Sequence, residues 1–120
     1  MRIAVSSQGT ELSSNVDPRF GRAPYFIIFD TGDNSFEVVS NEQNLNATQG
    51  AGIQAAQHVV KKNVDMIVAG NLGPKAFGIL SAAGIKAALW AEGTVAQAIE
   101  LAGNNKLKVC DSASVEGHWM

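Results

Sequence analysis

The sequence predicts an α/β fold: a five-stranded mixed sheet with an antiparallel hairpin strand, flanked by three helices. Three observations lead there. Short apolar, often β-branched runs recur along the chain; the period turns helical in three stretches from Ala51 onward; and the resulting order is β-β-β-α-β-α-β-α. Strands joined through helices are normally parallel with right-handed crossovers, and a hairpin adds its strands antiparallel.

Residues 3–5 (Ile-Ala-Val) form a buried first strand that opens at Ser6, Ser7 and Gly9 into a loop lasting to about Pro24. Residues 25–29 (Tyr-Phe-Ile-Ile-Phe) stop at the turn-rich 30–34, and 36–39 (Phe-Glu-Val-Val) follow, so the two runs read as an antiparallel hairpin. Residues 41–48 are a polar connector. From Ala51 a helical wheel puts Gly52, Ile53, Ala56, Val59 and Val60 on one side and Gln54, Gln57, His58, Lys61 and Lys62 on the other. Residues 64–69 read as a strand buried on both faces, broken by Gly70-Asn71-Leu72-Gly73 before Pro74, which suits a first helical position. The second helix covers about 74–83 with Gly84 as its stop, and 85–89 form the next strand. Thr94 with Gln97 three residues on is a capping box, opening a third helix that ends at Gly103. A single domain over 1–103 is expected, followed by a tail, 104–120, partly disordered and carrying a candidate strand at 107–110.

Composition narrows the function. Hydrophobic residues make up 46% of the 120 and charged residues 17%, which excludes a disordered chain. Nine Lys and Arg against eleven Asp and Glu give a net charge of −2, so no bulk basic field draws the protein to nucleic acid or a membrane surface. The lone cysteine, Cys110, excludes a disulfide scaffold, a zinc ribbon and a cysteine-ligated iron–sulfur protein. No apolar run approaches the ~20 residues of a membrane helix, and Met1 leads directly into strand-like sequence, so a cytoplasmic protein is expected.

No P-loop, zinc-hydrolase, nucleophile-elbow or dinucleotide motif is present, and the expectation is a non-enzyme. His58 lies opposite the apolar stripe and reads as a solvated surface residue. Cys110, Asp111 and His118 have the residue types of a nucleophile with its base, without glycine-rich oxyanion machinery beside them; with Met120 they also offer soft ligands for copper. Asp17, Asp30 and Asp65 would make a nuclease-type carboxylate set only by converging, which their expected positions at opposite ends of the sheet oppose.

Ligands of open sheets sit outside the carboxyl ends of parallel strands. Three segments qualify: 6–24, 70–74, and 49–52 at the start of the first helix. In the first, Arg19 and Arg22 flank an exposed-looking Phe20-Gly21 step stiffened by Pro18 and Pro24. The arginines could hydrogen-bond an anion that Phe20 shields from water; equally, Asp17 could pair with Arg19 or Arg22 while Phe20 packs as a loop anchor. Around Gly50, Ala51 and Gly52, and again at Gly73, Pro74 and Lys75, small residues leave helix N-terminal N–H groups accessible to an anion, with ordinary capping as the other reading. With two arginines repelling each other and little apolar surface to tether it, the 6–24 loop is expected to be mobile without a ligand.

Five segments in this order resemble the dinitrogenase iron-molybdenum cofactor biosynthesis family: Met1-Arg2-Ile3-Ala4-Val5, Val16-Asp17-Pro18-Arg19-Phe20-Gly21-Arg22-Ala23, Gly50-Ala51-Gly52-Ile53-Gln54-Ala55-Ala56, Gly70-Asn71-Leu72-Gly73-Pro74-Lys75-Ala76-Phe77 and Ala83-Gly84-Ile85. The resemblance covers about residues 1–102. It implies a ribonuclease H-like fold without the nuclease carboxylates and a non-catalytic role in holding molybdenum-iron-sulfur cofactor precursors. Within the family the chain is similar to the small free-standing orange proteins of sulfate-reducing bacteria, which hold a molybdenum-copper sulfide cluster non-covalently. The stretches matching the family's cluster-proximal positions contain neither His nor Cys, which fits non-covalent binding. On that reading Arg19, Arg22 and Lys75 balance charge, Gly50 to Gly52 and Gly73 supply backbone donors, and Phe20 and Phe77 keep the site dry. The alternative is a metal-free interaction module that docks onto a P-loop ATPase of cluster-assembly type or another cofactor-assembly protein, through an exposed Phe20 and small-residue helix faces.

Overall fold

The elements are β1 (Arg2–Ser7), β2 (Tyr25–Asp30), β3 (Ser35–Ser40), α1 (Ala51–Val60), β4 (Met66–Ala69), α2 (Pro74–Ala82), β5 (Lys86–Leu89) and α3 (Val95–Gly103). The structure is a computed structural model and describes residues 1–41 and 50–110. The strands form one five-stranded sheet in the order β3-β2-β1-β4-β5. β1 is antiparallel to β2 and parallel to β4, β2 is antiparallel to β3, and β4 is parallel to β5. The expected mixed sheet with three helices is therefore observed.

Strand alternation divides the core into two layers. Ala4, Phe26, Ile28, Ile67 and Ala69 point to the side covered by α1 and α2, where Ala55, Ala56, Val59, Ala76 and Leu80 meet them. Ile3, Val5, Ile27, Met66 and Val68 point the other way, onto Val95, Ala98, Ile99 and Ala102 of α3. The interior strand β4 is buried at every residue because helices cover both of its faces.

Several expectations need correction. The fourth strand starts at Met66 rather than Val64, because the Asp65 carboxylate accepts a hydrogen bond from the Arg2 backbone N–H at 2.8 Å and so caps the strand end. The fifth starts at Lys86, since the Ile85 N–H closes α2 by donating to the Leu80 carbonyl at 2.9 Å. Gly84, at φ 77°, supplies the left-handed residue that ends α2. On α1 the fully buried residues are Ala51, Ala55, Ala56 and Val59, whereas Gly52, Ile53 and Val60 are half-buried. The stripe is rotated toward the alanines because small side chains let α1 approach both the sheet and α2.

The candidate strand at 107–110 is one antiparallel bridge, Val109 to Ala88, reinforced by the Cys110 N–H donating to the Ala87 carbonyl at 2.8 Å. Leu107 packs on the α3 layer and Cys110 on the α1–α2 layer. The candidate residues Asp111, His118 and Met120 lie outside the described residues, as does Gln49. The 6–24 loop is more firmly tethered than its composition suggests. Val16, Phe20 and Ala23 are buried, and backbone bridges join Ser7 to Val16, Asn15 to Thr94 and Arg19 to Asn71. Its apolar residues stand singly among polar ones, so they leave no periodic signal. No helix among the described residues is long and apolar enough to cross a membrane.

Candidate functional site

The carboxyl ends of β1 and β4 are drawn together by the residues that follow them. Ser6, the penultimate residue of β1, accepts a hydrogen bond on its carbonyl from the Asp17 N–H at 2.8 Å. Its hydroxyl lies 2.6 Å from the Asp17 carbonyl and 3.3 Å from that of Val68, donating into both. This folds the loop back over the strand end and fixes Asp17, which is 1% exposed. Past Asp17 the chain runs beside the loop that leaves β4: the Asn71 N–H donates to the Pro18 carbonyl at 2.6 Å and the Phe20 N–H to the Asn71 carbonyl at 3.4 Å.

Glycines let these segments touch. A Cβ on Gly70 would lie 2.7 Å from the Pro18 Cα and 2.9 Å from its carbonyl oxygen. One on Gly21 would lie 2.7 Å from the Gly52 nitrogen and 2.9 Å from its Cα. The 17–22 segment is thus wedged between the β4 loop and the first turn of α1, backbone against backbone. The buried Asn41 side chain pins its far side, donating to the carbonyls of Gly21 at 3.2 Å and Ala23 at 2.8 Å. The three loops singled out from sequence therefore form one surface.

Two helices start at this surface without side-chain caps. α1 begins after Gly50, which sits at φ 78°, and α2 after Gly73, with Pro74 in its first turn. Helix N-terminal N–H groups without side-chain acceptors are ready donors to an anion. Arg19 has a side chain 61% exposed, Arg22 is half-buried, and Lys75 is exposed without an ion pair among the described residues. Arg19 also lies against Asp17, its Nε 3.4 Å from Oδ1 and its Nη2 3.5 Å from Oδ2.

Phe20 requires a correction. It is 3% exposed, and its ring stacks at a tilt on Phe26 with centroids 5.2 Å apart, inside the α1–α2 layer. It is the anchor that holds the loop rather than a wall facing solvent, the outcome favoured by the large apolar area a phenyl ring buries. Phe77 is half-buried and packs on the same layer. His58 is half-buried on α1. Asp30 and Asp65 both neighbour Arg2 at the amino end of β1, and Asp17 lies at its other end, so the three carboxylates stay apart. Among the described residues no three His, Cys, Asp or Glu side chains gather as a metal would require.

Sequence reasoning passed over a fourth strand end. Beyond β5, Trp90, Ala91 and Glu92 face Pro18, Gly70 and Asn71 across an open cavity of about 410 Å³ floored by Leu89. A tryptophan placed between a parallel strand and a capping box was the available signal. The switch point between β1 and β4, where such folds usually bind, is filled by Pro18 against Gly70, and the open space is displaced one strand outward.

The NMR structure of a Thermotoga protein assigned as a NifB protein superposes with a TM-score of 0.83 at 40% identity, covering 97% of this chain and 98% of that one. The apo form of the orange protein from Desulfovibrio gigas superposes with a TM-score of 0.92 at 37% identity, over 95% of this chain and 96% of that one. An uncharacterized protein of Methanocaldococcus jannaschii is 30% identical over 88 residues, 71% of this chain and 70% of its own length. The family model for the dinitrogenase iron-molybdenum cofactor matches residues 1–105, which takes in all eight elements and every loop of the site: the chain belongs to the dinitrogenase iron-molybdenum cofactor family.

Proposed function

We propose that this protein is a non-catalytic carrier or scaffold that holds an anionic, molybdenum-containing sulfide cluster, with copper or iron as its second metal, non-covalently on the surface where the three loops meet. The observation that carries the reading is the contact of the 17–22 loop, which bears Arg19 and Arg22, with the first turn of α1 and with the loop that leads into α2 and Lys75, both helices starting at glycine without side-chain caps. The donor set suits such cargo. A cluster whose metals already carry sulfide ligands needs N–H donors and cations, not protein thiolates or imidazoles. The surface offers the former, and no metal-ligating group gathers among the described residues.

The strand order β3-β2-β1-β4-β5, with a meander on one side and parallel strands on the other, supports a ribonuclease H-like assignment of the fold. A cytoplasmic location belongs to the same reading. The alternative of a metal-free module docking onto a P-loop ATPase rested on an exposed Phe20 and on small-residue helix faces; the burial of the Phe20 ring removes the first of these.

The test is anaerobic reconstitution of the full chain with tetrathiomolybdate and copper, read as visible absorbance and metal content after desalting. Arg19→Ala with Arg22→Ala should lower retention more than tenfold, since charge-assisted hydrogen bonds contribute about 1.5 to 3 kcal/mol each. Retention equal to wild type would move the cluster elsewhere. Replacing His58, Cys110 and His118 together with alanine should leave the absorption in place, and bleaching would show direct ligation.

A further inference from the structure

Asp17 is a carboxylate, 1% exposed, at the centre of a surface read as binding an anion. Simple electrostatics makes that costly twice over: burial penalises the charge, and the charge repels the cargo. Its contacts show what offsets this. Oδ1 accepts the Arg19 backbone N–H at 2.8 Å and lies 3.4 Å from Nε; Oδ2 lies 3.5 Å from Nη2. Asp17 is itself fixed through Ser6 to the ends of β1 and β4. The path from the sheet to the exposed guanidinium is therefore a chain of hydrogen bonds, and the Arg19 Nη1 group is left with no hydrogen-bond partner among the described residues.

We infer that Asp17 is a positioning residue: it clamps one edge of the Arg19 guanidinium so that the opposite edge is presented, already oriented, to the anionic metal sulfide. This rests on the carrier reading above. The clamped pair is neutral at a distance, so Arg19 acts as an aimed donor rather than as a source of field. A planar fork held along one edge can still donate from the other, which an ammonium cannot reproduce. Removing the carboxylate should thus weaken binding of an anion, the opposite of what charge repulsion alone would give.

The experiment compares wild type, Asp17→Asn, Arg19→Ala, Arg19→Lys and the Asp17→Asn/Arg19→Ala double variant, each full-length and reconstituted with tetrathiomolybdate and copper. Asparagine keeps an oxygen acceptor for the Arg19 N–H, and backbone amide spectra confirm that each variant is folded. Asp17→Asn, Arg19→Ala and Arg19→Lys should each lower retention by about tenfold, and the double variant should be no worse than Arg19→Ala alone. Unchanged or tighter binding by Asp17→Asn, wild-type retention by Arg19→Lys, or multiplied losses in the double variant would each overturn the inference. The Arg19 Nε–H resonance of the cluster-free protein supplies a second readout: it should be resolved in wild type and exchange-broadened in Asp17→Asn. Were that signature present while wild type took up no cluster, the clamp would stand and the carrier reading would fall; identical resonances in both proteins would remove the clamp.

Discussion

The two ends of the sheet are closed by opposite means. At the amino end of β1, side chains close it. The Arg2 guanidinium donates to the Lys62 carbonyl at 2.9 Å, Glu37 lies within 3.8 Å of Arg2 and 3.5 Å of Lys62, and Asp65 caps the Arg2 N–H. At the carboxyl end, glycines bring backbone onto backbone, and the side chains of Arg19 and Lys75 stay exposed. The first arrangement consumes its charges in holding the fold. The second leaves the outer edge of Arg19, the charge of Lys75 and backbone donors over, which is why the candidate site is at that end.

The strongest way to break this contrast is to place a methyl group between the touching backbones. Gly21→Ala and Gly70→Ala should each destabilise by about 2 to 3 kcal/mol, because the atoms they meet are backbone and cannot rotate away. Urea unfolding reads this directly, and cluster retention should fall with it; unaltered midpoints would mean that the loops separate freely. Asn41→Ala comes next, at about 2 kcal/mol, since it orphans the carbonyls of Gly21 and Ala23.

A helix start away from the glycine-started pair sharpens the contrast from the other side. Thr94 accepts from the Gln97 N–H at 3.2 Å, while the Gln97 side chain accepts from the Thr94 N–H at 2.8 Å. Thr94→Ala should cost about 1 kcal/mol in stability and leave cluster retention unchanged. A loss of retention there would extend the binding surface to α3.

The smallest effect belongs to the amino-end turn. Hydrogen bonds from the Ser35 hydroxyl and then the Ser35 N–H hold the Asp33 carboxyl below its ordinary 3.8. A depressed folded value means that the unfolded chain takes up this proton more readily. The stabilisation is therefore complete above 3.8 and fades as the pH falls through the lower folded value. Wild type should exceed Asp33→Asn slightly in urea midpoint at neutral pH, and the difference should vanish in acid. A gap that widens on acidification would contradict this origin.

The elements were legible because alternation and helical period are local. β4 and the Thr94 capping box are each written in consecutive residues. The three-loop convergence was legible from topology, since parallel strands send their carboxyl ends to one side. Phe20 stayed open between a wall for an anion and a loop anchor because a single aromatic between two arginines carries no period, and only the opposing Phe26, on another strand, decides for the anchor. Asp17 was legible as a partner of Arg19, but its burial depends on Ser6 and Val68, distant in sequence. The cavity beside Trp90 needed the register of β4 with β5.

The contact of Gly21 with Gly52 has a mechanical side. Side chains in contact can absorb a displacement by changing rotamer, whereas two backbones at van der Waals distance cannot. A pull on the Arg19 guanidinium is therefore passed, with little loss, along 19–21 to the first turn of α1. From there it reaches α2, which packs along α1. The loop and the helix pair are therefore joined as one stiff unit, and a displacement imposed at Arg19 is expected to be felt in α1 and α2 rather than absorbed in the loop.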